Sequence, residues 1–438
     1  MARRDIRELM QVPSEEHDLP WLFEALQWAV ELEFATIPAY LSGMWSIEPP
    51  PANEPPGPAY NLIKSVVLEE MLHLGLACNM LTAVGGKPAI TAPGYPGPLP
   101  GGVEPNLEVY LAGLSKNSVQ MYMAIERPEQ LPPNAEAESF PTIGAFYDAI
   151  SAAFTALSPP LTTAGQISIG ITEPDPNQPS ENPVPTFEEN RAPLATLADM
   201  QNAIALIKDQ GEGTGLSPDA PQFDNGELAH YFRFGEIFNG KQYVETSGHW
   251  DYTGLAVPFP ACYPVAKVPA GGYPGVPAVQ AFDAAYVKLI KHLQDAWDGQ
   301  GEAALGQAIG VMEELGGLAS NIVTQPLPGG GENYGPDFVP ANATSGSSPG
   351  GSETGGAPMA VSFKADIVPL FTSMDIDHMH NLGVSLTDYS YMSQPDNASA
   401  VYDQVSSGQM PPSDSGESPW SQAQVELFKS WIDSGYQP

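Results

Sequence analysis

The stretch LEEMLHLGLACNML, residues 68–81, decides how this chain is read. Its apolar residues recur every three or four positions, the period of a helix face. Glu70 and His73 are three apart, so both project from one face, together with Ile63, Val66, Val67, Leu74, Ala77 and Leu81. A charged side chain on an apolar stripe must be paired or bound to metal, because burying it alone is too costly. The stretch GELAHYFRF, residues 226–234, repeats the arrangement with Glu227 and His230. One Glu-x-x-His is a weak signal. Two, each inside an otherwise apolar helix, are much stronger.

Two inward Glu-x-x-His pairs are half of the ligand set of dinuclear carboxylate helix bundles. The other half is one inward Glu on each of two further helices. The helix expected over Leu19–Leu41 offers Glu24, Glu31 and Glu33. Glu33 shares its stripe with Leu26, Val30, Ile37 and Tyr40, whereas Glu31 lies with Glu24, Gln27 and Trp28. The apolar stripe selects Glu33. The helix expected over Lys116–Glu126 offers Glu126, with Val119, Tyr122 and Met123 on its face. The expected ligands are therefore Glu33, Glu70, His73, Glu126, Glu227 and His230. Four carboxylates and two imidazoles suit two divalent cations, iron first and manganese second. Zinc usually takes fewer ligands per ion.

Further helices are expected over Tyr60–Val84, Leu194–Lys208, Gly226–Phe238, Val279–Trp297 and Glu302–Val323. Pro-rich loops at Pro49–Pro58, Pro93–Pro105 and Pro258–Pro277, and an irregular insertion over Ser158–Pro185, separate them. The expected architecture is all-α: a four-helix bundle with long irregular insertions and extra helices, plus a small C-terminal α module. The domain boundaries read as 1–325 for the bundle, 326–360 for a Gly/Pro/Ser-rich linker and 361–438 for the module. The chain has 438 residues, with 16 Lys+Arg against 52 Asp+Glu, a formal charge of −36. That charge repels phosphate backbones and acidic membrane surfaces, so neither is an expected partner. Cys78 and Cys262 are the two cysteines, which gives no disulfide framework and no CxxC motif. The N-terminus has no apolar signal segment, so the expected location is the cytoplasm.

The ligand order resembles that of the ferritin-like superfamily. ELEFATIPAYL (31–41), EEMLHL (69–74), MAIERPE (123–129) and GELAHYFRFGEI (226–237) resemble more closely the ferritin-like domain of iminophenyl-pyruvate dimer synthase-type proteins of bisindole biosynthesis. The likeness covers about residues 15–325. It implies a di-iron oxidase or oxygenase that uses O2 on a small, amino-acid-derived metabolite in natural product biosynthesis. A non-enzymatic metal-binding protein and a scaffold for a biosynthetic complex are the alternatives. A homo-oligomer and a partner enzyme are both open.

Tyr40 shares the face of Glu33, and Tyr122 that of Glu126. They are the candidate catalytic side chains, as hydrogen-bond donors to ligands or as radical carriers; the plainer reading is core tyrosines capped by carboxylates. Glu69 is open between a role beside the ligands and solvent. Arg233 and Glu236 are expected to pair with each other. SGHWDYTG (247–254) reads as a loop. The C-terminal residues, with DIVPLF, GQMPP and ELFKSWIDSG, resemble a class I cytochrome c domain. MDIDHMH stands where CxxCH is needed, so covalent haem is excluded. Met410 matches the axial methionine position, and Asp377, His378 and His380 offer an alternative metal group.

Overall fold

A computed structural model describes residues 3–52, 54–128, 142–168, 171–172, 186–187, 193–211 and 228–340, and, in the C-terminal part, 363, 367–371, 376, 379, 384–406, 410, 420, 425, 428–429, 431–432 and 436. The chain divides into two compact units, 1–347 and 348–438.

The first unit is built on two long helices. After a short α1 (Ile6–Met10), α2 spans Leu19–Trp45 and α3 spans Pro58–Ala83. Asp18 caps α2 by accepting from the Trp21 N–H at 2.9 Å, and Pro20 sits in the first turn, where no N–H is needed. Pro38 does not end α2, which continues as one helix to Trp45. Pro58 opens α3 in the same way, and Gly85, at φ +88°, stops the chain from continuing it. Nearly every residue from Ala29 to Met44 is buried, as is almost all of Glu69–Ala83. Among the described residues α3 alone is long and apolar enough to cross a bilayer, but it is a core helix, 89% buried over its apolar window.

Two shorter helices complete the bundle. These are α4 (Lys116–Ile125), started by a Ser115–Ser118 capping box, and α7 (His230–Asn239), closed by Gly240 at φ +76°. Two helices pack beside them: α5 (Ile143–Leu157), which is absent from the sequence expectation, and α6 (Leu197–Gly211). A minimal pair joins β1 (Ile171–Thr172), inside the expected insertion, to β2 (Thr186–Phe187), just past its end.

The segment expected as a loop at 247–254 is instead part of a hairpin, β3 (Lys241–Thr246) with β4 (His249–Ala256). Ser247 at φ +55° and Gly248 at φ +81° form a turn with two positive φ values, which matches the twist of paired strands. Tyr243 stacks between Phe232 and Trp250, and its ring lies 4.4 Å from that of Tyr252. These cross-strand aromatic contacts hold the strands in register.

An outer helical hairpin, α8 (Pro277–Asp295) and α9 (Gly301–Ile322), covers the back of α2–α3. The first part of the expected linker belongs to this unit. Phe338 is buried and packs its ring against Trp45, Phe282 and Tyr286. One buried aromatic is enough to anchor the Gly/Pro-rich segment. Residues 341–360 lie outside the described residues. Asp337 is buried beside Phe338, accepts from the Tyr273 N–H at 2.8 Å and hydrogen-bonds Asp283 of α8. Burial and then the Asp337 carboxylate push the Asp283 carboxyl up to about 8. A carboxyl whose pKa is raised on folding costs stability as pH rises from its ordinary value toward the folded one. Thermal melts between pH 4 and 8 should therefore fall steadily with pH, and Asp283→Asn should flatten that slope.

The second unit has its own core of Phe363, Ile367, Phe371, Met392, Phe428 and Trp431. Its described helices are α10 (Tyr389–Met392) and α11 (Pro395–Ser406). A cavity of about 450 Å³ is lined by Met379, Met410, Tyr391 and Trp420, among others. Asp377, His378 and His380 lie outside the described residues.

Candidate metal centre

Four chain segments deliver acidic and imidazole side chains to one point. Glu33 comes from α2, Glu70 and His73 from α3, and His230 from the first residue of α7. Glu126 is not inside α4 but is its C-cap, at φ −90° and ψ 21°, held by its N–H to Tyr122 O at 3.1 Å. Pro128 two residues on prevents further helix. All five are buried, none more than 5% exposed. Glu227 lies outside the described residues. Glu31 stands apart, held by Arg3 at 2.7 Å in a bidentate pair.

The five form two overlapping groups: Glu33, Glu70 and His73, and Glu70, Glu126 and His230. Within each, the donor atoms lie within 4.8 Å of one another, and Glu70 belongs to both. His73 Nδ1 is 3.5 Å from Glu33 Oε2 and 3.7 Å from Glu70 Oε1. His230 Nδ1 is 2.8 Å from Glu70 Oε1 and 3.6 Å from Glu126 Oε2.

The far nitrogens fix which ring atom faces inward. His73 Nε2 sits 2.8 Å from Gln210 Oε1 of α6. His230 Nε2 sits 2.8 Å from Glu69 Oε2, and Glu69 Oε1 accepts from Arg233 Nη1 at 2.6 Å. A protonated Nε2 in each ring leaves Nδ1 as the inward donor, the tautomer a metal needs. Glu69 thus takes one of its two expected places, beside the cluster, whereas Arg233 departs from its expected pairing. Arg233 pairs with the buried Glu69 rather than with Glu236, whose carboxylate accepts from the Tyr243 N–H.

His230 Nδ1 tests the fit for a cation. It is fully buried and lies 2.8 Å from a carboxylate oxygen, without a regular hydrogen bond among the described residues. An imidazole nitrogen this close to a carboxylate oxygen needs a positive charge between them, a proton or a metal ion. The surrounding charges agree. Burial opposes ionising His73, but the Glu33 and Glu70 carboxylates beside it outweigh that and push its pKa up to about 10. His230 is raised for the same reason by Glu126, Glu69 and Glu70 against burial. Burial pushes Glu33 up, while Glu70, buried too, is held down by both imidazoles. The cluster attracts positive charge strongly, and divalent metal ions fit the donor set.

Hydroxyl groups complete the surroundings. Tyr40 Oη donates to Glu126 Oε1 at 2.5 Å, and Tyr147 Oη of α5 donates to Glu33 Oε1. Thr36 Oγ1 donates to Glu70 Oε2 at 2.8 Å. Tyr122 is one step removed: its Oη donates to the Ala39 carbonyl at 3.0 Å, and its ring meets Tyr40 edge-on at 4.9 Å. Gly43 makes room for it, since a Cβ there would stand 2.4 Å from Tyr122 Oη. Sequence reasoning missed Thr36, Tyr147 and Gln210. The cavity among these groups is small, about 30 Å³, lined by Glu33, Thr36, Glu70, His73, Glu126 and Tyr147, with Lys208 and several apolar neighbours.

No curated protein matches this chain. Among solved structures it is similar to a ferritin-like protein from Caulobacter vibrioides, at 26% identity and a TM-score of 0.49, over 69% of this chain and 95% of that one. Residues 26–239 match the family model described as Ferritin-like, a span that runs from α2 to the end of α7 and includes every residue of the cluster. Over that span the chain is similar to ferritin-like proteins.

Proposed function

We propose that the cluster holds two iron ions and that the chain is an O2-dependent oxidase or oxygenase acting on a small metabolite. The observation that supports this best is the pair of buried donor groups sharing Glu70, with His230 Nδ1 facing a carboxylate and lacking a hydrogen bond. Glu33 and His73 would hold one ion, Glu126 and His230 the other, with Glu70 between and Glu227 as the sixth ligand. When bound, such ions supply the electrons that reduce O2. The chain's own groups prepare the site. Gln210 and Glu69 hold the imidazoles in register, and Tyr40 keeps a proton 2.5 Å from Glu126 Oε1. Tyr40 is the candidate redox side chain, with Tyr122 behind it. The closer relation to iminophenyl-pyruvate dimer synthase-type domains, and a role in natural product biosynthesis, rest on TIPAYL and HYFRFGEI.

The small cavity favours a second reading, a non-enzymatic metal-binding domain. About 30 Å³ is room for a water-sized molecule. Anaerobic loading with Fe(II), followed by O2, separates the two. The enzymatic reading expects one rapid uptake of O2 in proportion to bound iron, and turnover on reduction. Binding of iron without O2 uptake would leave the second.

Metal binding should depend steeply on pH. An ion on His73 Nδ1 displaces the proton that the metal-free site keeps up to about pH 10. Affinity should rise roughly tenfold per pH unit for each proton released. Manganese titrations at pH 6, 7 and 8 should show it; pH-independent binding would place the ions elsewhere.

A further inference from the structure

The chamber beside Glu33, Glu70, His73 and Glu126 has its outer side between α5 and α6. It meets a different face of α3 from the apolar slot of about 340 Å³ that lies beneath α8–α9. Helices α5 and α6 run antiparallel: Gln201 Nε2 donates to Thr155 Oγ1 at 3.1 Å, and Lys208 Nζ donates to Asp148 Oδ1 at 2.5 Å. The residues that line the chamber are all buried except Ile143, which opens α5, and Lys208 of α6. Among the described residues, the way from the chamber to solvent therefore passes these two side chains. Gly144 and Gly211 leave part of the wall bare, and a Cβ on Gly211 would stand 3.4 Å from Glu126 Oε2.

Lys208 is placed to close that way. A lysine commonly lays its methylene stem along apolar surface and keeps its ammonium in water. Here the side chain is 26% exposed, and the carboxylate of Asp148 that holds its head is 61% exposed. The stem thus lies inward and the tie outward. Lys208 is also the one lysine or arginine in a lining that holds three carboxylates. Movement of a covering group, rather than the step inside, often sets the rate of exchange with a closed site.

We propose that Lys208, held by Asp148, is the door of the metal chamber and sets the rate at which ions enter and leave it. The inference rests on the cluster holding metal ions, and it is the same for either reading of what those ions do.

The test uses the full chain and Mn(II). Uptake is followed by loss of the free-ion EPR signal, and release by the metal still bound at intervals after excess EDTA is added. Asp148→Ala keeps the lysine but cuts its tie, and should speed uptake and release alike by about two- to fivefold, the effect of one surface ion pair. Lys208→Ala removes the door and should speed both by at least as much. Gly211→Ala narrows the passage and should slow both. Lys291→Ala, which breaks a surface pair on α8, should change neither. Unchanged rates in Lys208→Ala and Asp148→Ala, with two ions bound by the wild type, overturn the door and leave the centre standing. Faster uptake with slower release in Lys208→Ala assigns the lysine an effect through its charge alone and overturns the door as well. A wild type that takes up no Mn(II) overturns the centre, and the door with it.

Discussion

Glu70→Ala should take the chain from two bound metal ions to none above background, whereas Glu33→Ala should leave one. Glu70 is common to both donor groups, so its loss strips a ligand and a negative charge from each position at once. What remains among the described residues is Glu33 with His73 on one side and Glu126 with His230 on the other. Glu33 belongs to one group only. Glu31→Ala is the matched control, since its carboxylate is held by Arg3 outside the cluster. Elemental analysis of freshly loaded protein reads the outcome, and Glu70→Gln keeps the side-chain shape should the alanine variant fold poorly. Two ions retained in Glu70→Gln and Glu70→Ala would remove the cluster as the metal site.

Arg233→Met carries the second large effect. Arg233 and Glu69 are both 3% exposed and joined at 2.6 Å. Removing one member of a buried ion pair leaves the other charged and unsolvated, at a cost of about 3–5 kcal/mol. The melting temperature should drop by on the order of 5–10 °C. Metal affinity should fall too, by about 10–100-fold, because Glu69 orients His230. Glu69→Gln in the same chain should recover most of the stability and little of the affinity. A single variant as stable as the wild type would show that the pair is hydrated.

The bundle was legible because its candidate ligands violate the pattern that reveals its helices. Glu33, Glu70 and His73 interrupt long apolar stripes, and burial makes such interruptions expensive unless they meet one another. Glu31, two residues away on the wetter face, was separable on the same ground, and the structure places it with Arg3. Gln210 and Tyr147 were not legible. A neutral amide near the end of an amphipathic helix and a tyrosine on an apolar stripe are ordinary core features, and only tertiary packing carries them to the cluster. Arg233 looked committed to Glu236 by spacing, but both carboxylates are buried, and Glu236 is taken up by the Tyr243 N–H while Glu69 lies 2.6 Å from Arg233 Nη1. The β3–β4 hairpin did leave a signal, Ser247-Gly248 between alternating aromatic positions, that the local abundance of turn residues obscured.

Helix α3 serves as a partition. One face carries Glu70 and His73 toward a chamber of about 30 Å³, and the other faces a slot of about 340 Å³. Packed helices shift as rigid bodies rather than deform locally. Helix α2 walls both compartments as well, so a rigid shift of either helix changes the two volumes together.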